Sequence, residues 1–113
     1  MLIETKSVGF TLTDAIRRHA ESRVKAALRP LAGRALSVTA RLEDVNADRG
    51  GIDKRCSLVA NLRGRRVVVA EGLDADLYAA VDGAAGRLRR AVGRAVKRRH
   101  AGERKRPRRP GRR

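Results

Sequence analysis

The sequence predicts an α+β fold in the order β-α-β-β-β-α, a four-stranded sheet with two helices packed on one face. Apolar and polar residues alternate in four short segments, apolar residues recur every three or four positions in two longer ones, and turn-forming residues separate them. The chain has 113 residues, 42% of them hydrophobic but only 2% aromatic. This composition suits one small domain with an aliphatic core.

The first third of the chain predicts a strand followed by a helix. Residues 2–7 alternate weakly and predict the strand. The spacing then changes to that of one helix face, with apolar residues at Ile16, Ala20, Val24, Ala27, Leu28 and Leu31. The Thr13 hydroxyl can cap the first turn and Asp14 suits the helix N-terminus, while Pro30 and Gly33 mark the end.

Three further strands follow as an antiparallel meander. Residues 35–43 alternate, with Leu36, Val38, Ala40 and Leu42 expected on one side of the sheet. Residues 55–62 alternate again, and a tight connection at 63–65, in which Gly64 can adopt a positive φ, leads to a strand at 66–71.

The second helix is predicted to begin near Asp74, a suitable cap. Its apolar stripe consists of Leu77, Val81, Ala84, Leu88, Val92, Ala95 and Val96. Gly83, Gly86 and Gly93 each cost up to about 1 kcal/mol relative to alanine inside a helix. They allow either of two interpretations: close packing of helix on sheet, or tolerated variation.

The positive charge is concentrated near the C-terminus. The formal net charge is +16, and residues 86–113 hold 14 of the 28 basic residues but one acid, Glu103. The first 85 residues are nearly balanced. Such an asymmetric charge attracts polyanions, chiefly nucleic acid.

Two rows of basic residues are candidates for contacting that nucleic acid. At about 100° per residue, the second helix gathers its cations within about 100° of arc, away from the apolar stripe; they are Arg87, Arg90, Arg94, Lys97 and Arg98. On the first helix Arg18, Lys25 and Arg29 share the face opposite Ile16 and Val24, and Arg23 flanks the apolar stripe. If both helices lie on one side of the sheet, their outer faces form one broad basic surface suited to phosphates rather than base identity.

Other residues offer little chemistry. Cys56 fits a buried small hydrophobe, and His19 and His100 have no companion ligands at metal spacing. The acidic loop residues Asp44, Asp48 and Asp53 do not match a calcium loop and are expected in a solvated turn. We therefore predict no enzyme, no cofactor and no metal.

The chain has neither a signal peptide nor an apolar run of about 18 residues, so we expect a cytoplasmic protein without a membrane partner.

Two segments resemble the bacterial ribosome hibernation promoting factors, which include ribosome-associated inhibitor A. "FTLTDAIRRHAESRVKAAL" is similar to the family's opening strand and first helix. "EGLDADLYAAVDGAAGRLRRAVGRAVKRRH" is similar to its most recognisable block, D-M-Y-x-A-I-D followed by K-L-x-R-Q-L-x-K. The matching residues are Asp76, Leu77, Tyr78, Ala80, Val81 and Asp82, then Arg87, Leu88, Arg90, Val92 and Arg94.

The resemblance implies a fold similar to double-stranded RNA-binding domains, and a function. Members bind the small ribosomal subunit and its ribosomal RNA in the channel for messenger and transfer RNA, and so inhibit translation and preserve idle ribosomes in stationary phase or stress. The positions of Arg87, Arg90 and Arg94 match the family's RNA contacts, and Arg23 matches a basic position on the first helix.

The resemblance covers about residues 1–100, which we predict to be the RNA-binding domain, with residues 101–113 as a disordered basic tail. Because the long members' C-terminal dimerisation domain has no counterpart here, we expect the short type and a free monomer. Two alternatives stay open: a general double-stranded RNA or nucleic-acid binding protein, and a permanent ribosomal structural protein.

Overall fold

Four strands and two long helices account for most of the chain. The computed structural model describes the backbone of residues 1–45 and 53–105, with side chains as far as Lys97 except that of Ala32. The elements are β1 (Leu2–Val8), α1 (Asp14–Leu28), a 3₁₀ helix (Arg29–Arg34), β2 (Ala35–Asp44), β3 (Lys54–Leu62), β4 (Arg66–Asp74) and α2 (Leu77–Lys105).

The strands form one sheet in the order β1-β2-β3-β4. β1 pairs with β2 in parallel, and this pairing requires the crossover that α1 supplies. β2, β3 and β4 form the predicted antiparallel meander, and Gly64 in the last turn has a φ of 83°. The predicted α+β fold, with this element order, is confirmed.

The core lies between one face of the sheet and the two helices. α1 packs on β1 and β2, α2 packs on β3 and β4, and the helices also contact each other. The largest fully buried side chains are aliphatic, apart from Cys56, and come from both layers: Val24, Leu28, Val38, Leu42, Leu58, Val81, Leu88 and Val92. The predicted burial of Cys56 is confirmed.

Leu36 does not face the core, so the prediction for this residue is wrong. The pairing of β2 with β3 shifts register between Ala35 and Ser37, as at a β-bulge. Ala35 therefore takes the inward position at the start of β2, and the Leu36 side chain is 49% exposed.

The sequence predicted the N-terminal cap correctly for α1 but not for α2. Thr13 Oγ1 accepts a hydrogen bond of 3.2 Å from the amide of Ile16, as predicted. For α2 the predicted cap, Asp74, is wrong, because Asp74 is the last residue of β4. Asp76 caps the helix instead and accepts a hydrogen bond of 3.3 Å from the amide of Tyr78.

A glycine in β4, rather than the glycines of α2, permits close packing of helix on sheet. A Cβ added to Gly72 would collide with the carbonyl oxygen of Ala80 and lie 2.7 Å from the amide nitrogen of Ala84. A Cβ at Gly83 or Gly86 would meet only an arginine side chain, and one at Gly93 would meet nothing within 4 Å. The close-packing interpretation of the three helix glycines is therefore wrong.

An ion cluster closes the base of the β2–β3 hairpin. Lys54 Nζ lies 3.2 Å from Asp44 Oδ2 and 3.1 Å from Asp53 Oδ2, and the hydrogen bond to Asp53 is the main cause of a raised pKa of Lys54. Asp53 is only 3% exposed. The predicted solvated turn is thus wrong for Asp44 and Asp53, while Asp48 lies outside the described residues.

Candidate nucleic-acid interface

Four of the five predicted members of the basic row on α2 lie on the outer side of that helix. Arg87, Arg90, Arg94 and Lys97 are exposed, whereas Leu88 between them is fully buried. The side chain of Arg98, the fifth predicted member, lies outside the described residues. The α2 backbone continues past the predicted boundary at residue 100 to Lys105, and residues 106–113 of the predicted tail are not described.

Arg87 differs from its neighbours because it is already engaged within the protein. Its Nη1 donates a hydrogen bond of 2.7 Å to the backbone carbonyl of Glu71 on β4, the edge strand. Arg90, Arg94 and Lys97 have no partner among the described residues. Three of the four described members of this row are therefore available to an external anion, and Arg87 also tethers α2 to the sheet.

Two of the three glycines of α2, Gly83 and Gly86, lie beneath arginine side chains. The position of a Cβ at Gly83 is 3.9 Å from Arg87 Nη1, and at Gly86 it is 3.8 Å from Arg90 Nη1. Each guanidinium thus folds back over the residue four positions earlier, the direction in which helical side chains lean. Both distances are ordinary van der Waals contacts, so a methyl group at either glycine would fit beneath its arginine.

Of the four residues predicted on the first helix, where Arg29 is the first residue of the following 3₁₀ helix, three are exposed without a described partner and the fourth is paired. Arg18, Lys25 and Arg29 belong to the first group. Arg23 Nε lies 3.1 Å from Asp82 Oδ1 on α2, with half of its side chain exposed. Arg23 therefore connects the two helices, a role that its place beside the apolar stripe did not reveal.

Asp82 is the centre of that connection. His19 Nε2 lies 2.8 Å from the same Oδ1 atom, and the His19 ring packs edge-on against Tyr78 with a centroid distance of 4.8 Å. The sequence contained one signal for this role: Asp82 is an isolated acid on a basic helix.

The two basic rows lie on different sides of the contact between α1 and α2. At about 100° per residue, Arg18 and Lys25 lie about 140–160° around α1 from Arg23, which faces α2. Arg87 on α2 reaches β4, the edge of the sheet on the other flank. Arg23, Asp82 and Arg89 lie between the two helices, so the strip that separates the rows also carries two cations.

Comparison with known proteins identifies the family. Residues 3–100 match the family model described as "Sigma 54 modulation protein / S30EA ribosomal protein". The chain belongs to this family. It is therefore a ribosome-associated modulation factor of the hibernation promoting type, as the resemblance predicted.

Solved structures of this S30EA family show the same fold. The N-terminal domain of Thermus thermophilus Protein Y is 30% identical to this chain, with a TM-score of 0.70 over 84% of this chain and 99% of that one. A ribosomal subunit interface protein from Coxiella burnetii is 18% identical, with a TM-score of 0.74 over 86% and 99% of the two chains. Among curated proteins, none matches this sequence.

The described part of this S30EA chain offers no transmembrane helix, since none of its helices is both long and apolar enough to cross a bilayer. In the same ranges, 1–45 and 53–105, no three potential ligands from histidine, cysteine, aspartate and glutamate gather where they could hold a metal ion.

Proposed function

We propose that this S30EA protein silences ribosomes by binding the small subunit in the channel for transfer and messenger RNA, with its basic helices against ribosomal RNA. One observation carries the proposal: six of the predicted cations on the helical layer are exposed and have no described partner inside the protein. They are Arg18, Lys25, Arg29, Arg90, Arg94 and Lys97.

The spacing of these cations suits a phosphate backbone. At a rise of about 1.5 Å per residue, Arg90 and Arg94 are separated by about 6 Å along α2, and Arg94 and Lys97 by about 4.5 Å. These separations are comparable to the distance between successive phosphates of one strand. Arginine adds a planar fork that can bind two phosphate oxygens. Contacts of this kind fix position and orientation without reading sequence.

Inhibition then follows from occupancy rather than catalysis. A folded domain seated in the channel excludes transfer and messenger RNA for as long as it stays bound. The name of the Coxiella burnetii neighbour, a ribosomal subunit interface protein, supports a site where the subunits meet. A ribosomal partner also places the protein in the cytoplasm.

Sedimentation with purified small subunits tests the proposal. The double variant Arg90→Ala/Arg94→Ala should bind roughly tenfold or more weakly, because two phosphate contacts are lost. The matched control is Lys6→Ala/Arg41→Ala, which removes the same charge from exposed positions on β1 and β2, on strands whose inward residues face the helices. If both double variants sediment alike, the helical surface is not the binding surface.

The layout of two helices with outward cations on a sheet also fits a general double-stranded RNA binding protein. Competition separates the two functions. Excess free duplex RNA should leave most of the protein on the small subunit if the ribosome is the specific target. Full displacement by duplex RNA would favour the general binder.

A further inference from the structure

A small cavity lies between the two basic rows. It has a volume of about 200 Å³ and opens on the outer surface of the helical layer, between α1 and α2. Its walls are formed by small residues on both helices, Ala26 and Ala27 on α1 and Ala85 and Gly86 on α2. A flat, largely apolar group can therefore enter between the helices without displacing a large side chain.

Polar groups line the rest of this α1–α2 groove. Asp82, Arg23 and Arg89 complete its lining. The printed contacts of Asp82, to His19 and Arg23, both go to Oδ1, and the side chain is 45% exposed. The groove thus presents a half-exposed carboxylate, an acceptor for N–H donors, within a surface that is otherwise cationic.

A positive group lies further along the same groove. Arg89 is exposed, has no partner among the described residues and lies seven positions after Asp82 on α2. Seven residues rise about 10 Å along a helix. An acceptor and a guanidinium separated in this way match the length of one nucleotide, from the polar edge of its base to its phosphate.

We propose that the α1–α2 groove binds one unpaired RNA nucleotide whose base carries an exocyclic amino group. The base lies against the small-residue walls, its amino group donates a hydrogen bond to the Asp82 carboxylate, and its phosphate contacts Arg89. Proteins read single-stranded RNA in this manner, by enclosing unstacked bases and bonding their edges. The inference rests on the proposed function, since it places a base-reading contact within an RNA-binding surface.

Two other kinds of ligand would contact fewer features of the groove. A phosphate alone would leave the apolar walls uncovered and would be repelled by the Asp82 carboxylate. A protein side chain could fill the walls but would not use the separation between Asp82 and Arg89. A nucleotide uses the walls, the acceptor and the cation together.

Titration of the ¹⁵N-labelled 113-residue chain with mononucleotides tests the proposal. Cytidine 5′-monophosphate should shift the amide signals of Ala26, Ala27, Ala85 and Gly86 saturably, with about fivefold higher affinity than uridine 5′-monophosphate, which lacks the amino group. Inorganic phosphate should leave these signals in place. Equal shifts with all three probes would mean that the groove reads no base and would overturn the proposal.

Variants locate the binding within the groove. Ala26→Leu fills it from an exposed position and should abolish the cytidine shifts, whereas Ser22→Leu, at an exposed position of α1 outside the groove, should preserve them. Asp82→Asn should remove the preference over uridine, because an amide can offer either a donor or an acceptor. Unchanged binding by a folded Ala26→Leu variant would contradict the proposal.

Sedimentation with small subunits separates this inference from the proposed function. If Arg90→Ala/Arg94→Ala leaves ribosome binding intact, the proposed function fails, and the nucleotide titration still decides the groove. If Ala26→Leu weakens ribosome binding while no mononucleotide shifts the groove signals, the groove contacts the ribosome without reading a nucleotide and the nucleotide proposal is wrong.

Discussion

The guanidinium of Arg87 donates a hydrogen bond of 2.7 Å from Nη1 to the backbone carbonyl of Glu71, and so joins α2 to the edge strand of the sheet. Arg66 Nη1 makes the converse contact, 3.0 Å from the carbonyl oxygen of Ala95 on α2. Arginines from both layers therefore hold the helix against β4. In these two contacts the arginine side chains stabilise the fold.

We expect Arg87→Ala to lower the free energy of unfolding by about 1 kcal/mol, the usual contribution of such a hydrogen bond. Arg90→Ala is the matched control: it removes the same charge from the same helix but no described contact, so stability should stay within about 0.5 kcal/mol of the parent. Urea unfolding followed by circular dichroism measures both. Equal loss of stability in the two variants would show that the Arg87–Glu71 contact adds nothing.

Gly72 provides a test of the packing between α2 and β4. Gly72→Ala should cost about 1–3 kcal/mol, because the new methyl group meets the backbone at Ala80 and Ala84 and the helix must move outward. Gly93→Ala should instead stabilise the protein by up to about 1 kcal/mol, since nothing lies near its Cβ position and alanine favours a helix. Thermal unfolding of the two variants should therefore shift in opposite directions. A shift in the same direction would contradict this account.

The element order followed from the sequence because every segment after the weakly alternating first strand had a clear period. The sequence could not predict features that depend on how a strand pairs with its neighbour. Ala35 and Leu36 are both apolar, so the alternation alone could not locate the bulge that turns Leu36 outward. Asp74 and Asp76 are both suitable caps, and the length of the pairing between β3 and β4 decides between them.

For the candidate site, the sequence predicted which residues are exposed but not which of them make contacts inside the protein. Exposure of Arg90, Arg94 and Lys97 follows from helical periodicity, which fixes a face without reference to the rest of the fold. The contacts of Arg87 and Arg23 depend on which element lies beside each helix. The groove beside Asp82 depends on how closely α1 and α2 approach, and a single sequence does not reveal that distance.

Cys56 should resist alkylation in the native protein. Burial raises the pKa of its thiol from an ordinary value of 9.0 to about 12. Between these pH values the unfolded chain ionises Cys56 and the native chain does not, so this residue makes the native state progressively less stable as pH rises. At pH 9, iodoacetamide should label the native protein about a hundredfold or more slowly than the urea-unfolded chain, by mass spectrometry. Similar rates would mean that Cys56 is accessible.

Binding to the small subunit should depend steeply on salt. If the six predicted cations that have no described partner each neutralise one phosphate, the logarithm of the association constant should fall with the logarithm of salt concentration at a slope of about −4 to −5. Arg90→Ala/Arg94→Ala should reduce the magnitude of that slope by about 1.5–2, because two fewer counterions are released. Lys6→Ala/Arg41→Ala carries the same net charge and should keep the parent's slope. The affinity for the small subunit, measured between about 50 and 200 mM salt, distinguishes direct contacts of Arg90 and Arg94 from general electrostatic attraction. General attraction would reduce the slopes of both double variants equally.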